Sequence, residues 1–172
     1  MWEAGSTIMI EVWLAGKGPS LDDYDWSQAN QYRFAINEAH ELVPDCIGVF
    51  ACDHPILNKL LNLPICVFVN KIHVPPFHFP IMFEWEHNVH AKDIHATLLV
   101  AVQVLHWMGI RRIHLIGCDS LTGEYKYSPL VAKGTNNDNF HSINTRLKKI
   151  MGRLTDLEII LEHTECPQKL VL

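Results

Sequence analysis

The sequence has no long run of Lys or Arg, and its 14 basic residues are outnumbered by 19 acidic ones, for a formal charge of −5. A phosphate backbone held through counterion release is therefore not expected, and nucleic acid is set aside as a partner. No apolar stretch reaches the roughly 18 residues that a spanning helix needs, which excludes an integral membrane segment of that kind. The start, Met1-Trp2-Glu3-Ala4-Gly5, lacks the basic residues, apolar stretch and cleavage site of a secretory leader. Cys-x-x-Cys and His-Glu-x-x-His spacings are missing. The eleven histidines are spread along the chain, with His87, His90 and His95 the nearest to a group, so no metal site is expected. The five cysteines, Cys46, Cys52, Cys66, Cys118 and Cys166, are odd in number and mostly sit in apolar runs, which fits reduced thiols in a cytoplasmic protein. Internal repeats, low-complexity tracts and long linkers are also absent.

What is present is enough apolar material for one sizeable core: 172 residues, 48% of them hydrophobic. Apolar runs predict strands at 8–15, 32–36, 46–52, 65–69, 111–118 and 157–161, the fourth being continuous enough for burial on both faces. Helices are predicted over 55–63, ended by Pro64; over 94–108, closed by Gly109; and over 139–153, with a polar start and a basic end. A further helix is expected after the turn at 16–19, with Ser20 as N-cap and Asp23 at its third position. Prolines make 73–80 a loop, and the long connection 119–136 is read as functional. Strands alternating with helices predict an α/β fold of Rossmann-like type, a mostly parallel sheet with helices on both faces, in a single domain over 1–172. Right-handed crossovers then gather the strand-to-helix loops at the carboxyl ends of the strands, where such folds bind ligands.

Three segments fall at that edge. In Ala15-Gly16-Lys17-Gly18-Pro19-Ser20-Leu21 the glycines allow close backbone approach, exposed amides favour an anion and Lys17 adds a charge, although the same residues also make an ordinary tight turn. Leu21 stands where the dinucleotide fingerprint needs a third glycine, and Walker A spacing is absent. Asp22 and Asp23 compete with an anion for the same positive helix end. The second segment, Gly117-Cys118-Asp119-Ser120, leads into Gly123-Glu124-Tyr125-Lys126-Tyr127, whose tyrosines either serve a phosphate and a base or sugar, or belong to a solvated loop. The third opens the last helix with His141, where the dipole disfavours the imidazolium and leaves a ring able to act as a base; an ordinary surface histidine is the alternative. In Cys52-Asp53-His54 neighbouring side chains on a strand point to opposite faces, so Asp53 is read as a ligand contact and Cys52 as core.

In this order the segments resemble the small bacterial sialyltransferases of Campylobacter and Haemophilus lipooligosaccharide synthesis, with the related uncharacterised and 6-hydroxymethylpterin diphosphokinase-like proteins that share their fold. The family's Gly-x-Gly-Pro-Ser-Leu turn is matched by 16–21 and its Asn after the second strand by Asn37. Its helix-and-strand segment is similar to 96–119, with Thr97, Gly109, Ile113, Gly117 and Asp119 in register. Asn137-Asp138, then His141-Ser142 with Asn144-Thr145, look like its Asn-Asp and His-Ser-x-Asn-Thr segments. Lys17 replaces the usual Asn of the turn, Leu121 stands for one of two phosphate-binding tyrosines, and the chain is much shorter than those transferases.

The resemblance implies a glycosyltransferase-like enzyme of bacterial or phage origin that uses a nucleotide sugar, a CMP-sugar among the candidates, and a hydroxyl acceptor without a metal. His141 would take the acceptor's proton, while Tyr127, with Tyr125 beside it, would hydrogen-bond the departing phosphate. Gly16, Gly18, Ser20, Asn37, Thr97 and Gly117 would line the nucleotide pocket, joined by Lys17, Asp53 and Asp119. The nucleotide sugar is a co-substrate, so no cofactor is expected. Two alternatives stay open: Mg²⁺-dependent diphosphate transfer from ATP, as in the pterin kinase-like relatives, with Asp119 or Asp53 on the metal, and a binding module without turnover. A homo-oligomer is left open.

Overall fold

The computed structural model describes residues 10–51, 54–70, 81–85, 97–121, 140–162 and 168–169. Its strands are β1 (Glu11–Ala15), β2 (Arg33–Ile36), β3 (Gly48–Phe50), β4 (Cys66–Asn70), β5 (Ile81–Trp85), β6 (Arg112–Ile116), β7 (Glu158–Leu161) and β8 (Gln168–Lys169). Helix α1 (His54–Leu60) follows β3, α2 (Thr97–Trp107) precedes β6, and α3 (Phe140–Arg153) lies between β6 and β7. All the described strands form one sheet in the order β5-β4-β3-β2-β1-β6-β7-β8, parallel throughout except for the pair β7 and β8.

Alternation along the strands sorts the core into two layers. Val12 and Leu14 of β1, with Ile113 and Leu115 of β6, face α2 and α3, where Leu99, Leu105 and Leu147 are fully covered. Trp13 and Ala15 face the other way, into a layer closed by Ile56, Leu57 and Leu60 of α1 and by short 3₁₀ turns. Each fully buried Leu or Ile contributes about 1.5–3 kcal/mol relative to exposure, so both layers are needed to hold the sheet. The expected α/β architecture with helices on both faces is therefore the one found. α2 ends in a Schellman motif: the Gly109 amide donates to His106 O at 3.0 Å and the Ile110 amide to Leu105 O at 3.1 Å, with Gly109 at φ +94°.

One local expectation is corrected, and two strands are found that the sequence pattern does not show. No helix opens at Ser20; the chain makes a single 3₁₀ turn, Pro19–Leu21, with Gly18 at the cap position and no side-chain cap bond. β5 follows directly on the proline-bearing stretch 73–80, whose expected loop lies outside the described residues, and β8 is too short to show a periodicity.

On the α1 side of the sheet, Arg112 of β6 bridges Glu11 of β1 and Glu158 of β7. The His114 ring stacks on Trp13 with centroids 4.1 Å apart and stands between Glu162 (Nδ1 to Oε1, 2.6 Å) and Glu11 (Nε2 to Oε2, 3.2 Å). These partly exposed contacts add little stability each, about 0–1 kcal/mol, but they tie three neighbouring strands in one register.

Candidate functional site

The strand order fixes where a ligand can enter. From β1 the chain proceeds outward through β2, β3, β4 and β5, then returns to place β6 on the free side of β1. The connections from β1 and β6 thus run in opposite directions along the sheet, which makes this pair the switch point of an open parallel sheet.

Those two turns clasp each other. Gly16 donates its amide to Ile116 O at 2.7 Å, Gly18 donates to Gly117 O at 2.6 Å, and Gly117 donates to the Ser20 hydroxyl at 3.1 Å. The Ser20 amide donates to Asp119 Oδ2 at 3.2 Å, with Asp119 only 5% exposed. A Cβ on Gly16 would stand 2.5 Å from Gly117 O, and one on Gly18 would run into Asp119 Oδ2. The glycines are present because two backbones meet there. The amides expected to cradle an anion are spent within the chain, and the Asp119 carboxylate occupies the start of the turn. Ser20, expected to cap its own helix, serves the β6 turn instead.

Lys17 is likewise engaged. Its Nζ lies 3.1 Å from Glu38 Oε2, and Lys59 of α1 approaches the other oxygen of that carboxylate at 3.8 Å. Neither Glu38 nor Lys59 was singled out in the sequence. The available signal was the acid's spacing, 20 residues past Gly18 and just beyond the second strand.

At the end of β2, Asn37 adopts a left-handed backbone with φ +54° although it is not glycine. Its side chain is buried, and Oδ1 has no hydrogen-bond partner. An acceptor buried without a donor costs about 1–3 kcal/mol, and such strain gathers at ligand sites. Asn37→Gly is expected to raise stability by about 1 kcal/mol in urea unfolding through relief of the left-handed strain, while weakening ligand binding.

Thr97 begins α2 and is buried. Because α2 and α3 run between parallel strands, both helices start at the carboxyl edge, and α3 packs against the 3₁₀ turn Asp119–Leu121. The backbone of His141, second residue of α3, therefore lies at the same edge as Gly16, Asn37 and Gly117. Asp53, Tyr125 and Tyr127 fall outside the described residues. Cys118 beside the clasp is a poor nucleophile: burial, helped by the neighbouring Asp119 charge, pushes its thiol up to about 12. Burial likewise pushes the Cys46 thiol up to about 11.

No family model and no curated protein matches the chain. In fold it is similar to the sialyltransferase CST-II. The crystal structure of that enzyme in complex with a trisaccharide acceptor and CMP aligns with a TM-score of 0.54 at 16% identity, covering 91% of this chain and 82% of CST-II. At that identity the likeness speaks for the architecture alone, and it agrees with the parallel sheet. Among the described residues no group of His, Cys, Asp and Glu could hold a metal ion, and no helix is long and apolar enough to cross a membrane.

Proposed function

We propose that this chain is a glycosyltransferase-like enzyme that takes a nucleotide sugar at the β1/β6 crevice and passes the sugar to a hydroxyl acceptor. The observation that carries this reading is the convergence at one sheet edge of the clasped turns after β1 and β6, the unpartnered Asn37 Oδ1 and the start of α3 with His141. Likeness in fold to a sialyltransferase whose complex holds CMP makes a CMP-sugar the first donor to try.

In the proposed reaction the acceptor oxygen attacks the anomeric carbon, the bond from that carbon to the phosphate oxygen breaks, and the acceptor's proton passes to His141. Tyr127 and Tyr125 meet the charge that develops on the departing phosphate, so the step calls for no metal. Diphosphate transfer with Mg²⁺ would use Asp119 or Asp53; Asp119 is buried with Oδ2 taking the Ser20 amide, and Asp53 lies outside the described residues. The free thiols Cys46, Cys66 and Cys118 suit a cytoplasmic setting.

A thermal-shift screen against CMP, UDP, GDP, ADP and their sugars tests the reading. A ligand at a hundred times its Kd adds about 2.7 kcal/mol of stability, a clear rise in Tm. CMP or a CMP-sugar is expected to give the largest shift. If no nucleotide raises Tm, the reading falls.

A further inference from the structure

Glu38 has no part in the chemistry above. We propose that its carboxylate accepts the ribose hydroxyls of the bound nucleotide, so that the site takes ribonucleotides and rejects their 2′-deoxy forms. This rests on the nucleotide-binding reading and adds to it the residue that recognises the sugar ring.

Three observations support it. Glu38 sits just past the end of β2, the strand next to β1 at the switch point, 20 residues beyond Gly18. In doubly wound sheets a nucleotide laid across this edge brings its ribose over the end of the second strand, and an acid about 20 residues past the glycine turn receives the hydroxyls. The carboxylate is also held in one orientation, with Lys17 at 3.1 Å on Oε2 and Lys59 at 3.8 Å on Oε1, its side chain 13% exposed. A carboxylate oxygen has two lone-pair sites, so one ammonium on each leaves each able to accept a hydroxyl. Two adjacent ribose hydroxyls supply two such donors. Finally, Asn37, directly before Glu38, takes a left-handed backbone at φ +54°, and the Glu38 carboxylate reaches Lys17 in the turn after β1.

The test is calorimetric titration of the full chain with CMP, UMP, GMP and AMP, and then with the 2′-deoxy counterpart of the tightest binder. The wild type is expected to bind the deoxy form at least about tenfold more weakly, as loss of a hydrogen bond to a charged group implies. In Glu38→Ala the ratio of the two affinities is expected to fall to near one, and the ratio cancels any change in phosphate attraction caused by releasing Lys17. Equal binding of both forms by the wild type overturns the proposal without any variant and leaves the nucleotide reading standing. An unchanged ratio in Glu38→Ala also overturns it. If none of the four ribonucleotides binds, both fall together.

Discussion

His141→Ala is expected to lower turnover by about 10²–10⁴-fold, the usual contribution of a positioned general base, while nucleotide affinity stays within about twofold. The split follows from where the residue lies. His141 belongs to the first turn of α3, the helix between β6 and β7, whereas Asn37 and Glu38 follow β2 on the other side of β1. In the proposed mechanism a base there would meet the acceptor and the anomeric carbon and take little part in holding the nucleotide. Steady-state kinetics with the donor found in the screen, paired with calorimetry on the same variant, separates the outcomes. Turnover kept at the wild-type level removes His141 from the mechanism, and turnover and affinity lost together would make it a structural residue of the helix start.

The second large effect is on stability. Gly117→Ala should cost about 2–5 kcal/mol, combining the 1–2 kcal/mol of a left-handed residue with the 1–3 kcal/mol of an overpacked contact. Gly117 has φ +61°, and an added Cβ would lie 2.7 Å from Gly16 O and 3.0 Å from Leu21 Cβ, so neither the backbone nor its neighbours can yield cheaply. In a protein whose whole stability is on the order of 5–15 kcal/mol, that is a large share. Gly152→Ala supplies the contrast. That glycine is helical with nothing within 4 Å of an added Cβ, and the change should stabilise by about 0.5–1 kcal/mol. Urea unfolding midpoints of the two variants should move in opposite directions; a Gly117→Ala midpoint at the wild-type value would mean that the clasp does not constrain the fold.

The features legible in the sequence are those written in short-range patterns. Apolar runs located β1, β2, β3, β4, β6 and β7, Gly109 announced the end of α2, and alternation of strands with helices implied a parallel sheet whose turns share an edge. The content of that edge was less legible, because it depends on which strand neighbours which. Nothing near Ser20 indicates that its hydroxyl will serve the amide of Gly117, 97 residues away, so the local rule for a helix cap gave the wrong partner. The turn at Gly16 looks open to an anion in the sequence for the same reason, since the carboxylate that fills it comes from Asp119, in the turn after a strand made much later. Lys17 was assigned to a ligand before its partner Glu38, 21 residues on, was visible as such. Asp53, Tyr125 and Tyr127 lie outside the described residues and remain expectations from the sequence.

The strand order also sets a timetable for synthesis. β1 acquires β2 early, but its other edge waits for β6, and the residues that join them, Glu11 and Arg112, are 101 apart. At a ribosomal pace of about 5–20 residues per second, that edge stays open for roughly 5–20 s, able to pair with any passing strand. Half of the edge proposed to take the nucleotide is the turn that follows β6, so that edge cannot form before Gly117 has been made. The two turns then meet in a single step, when one late strand docks beside the first.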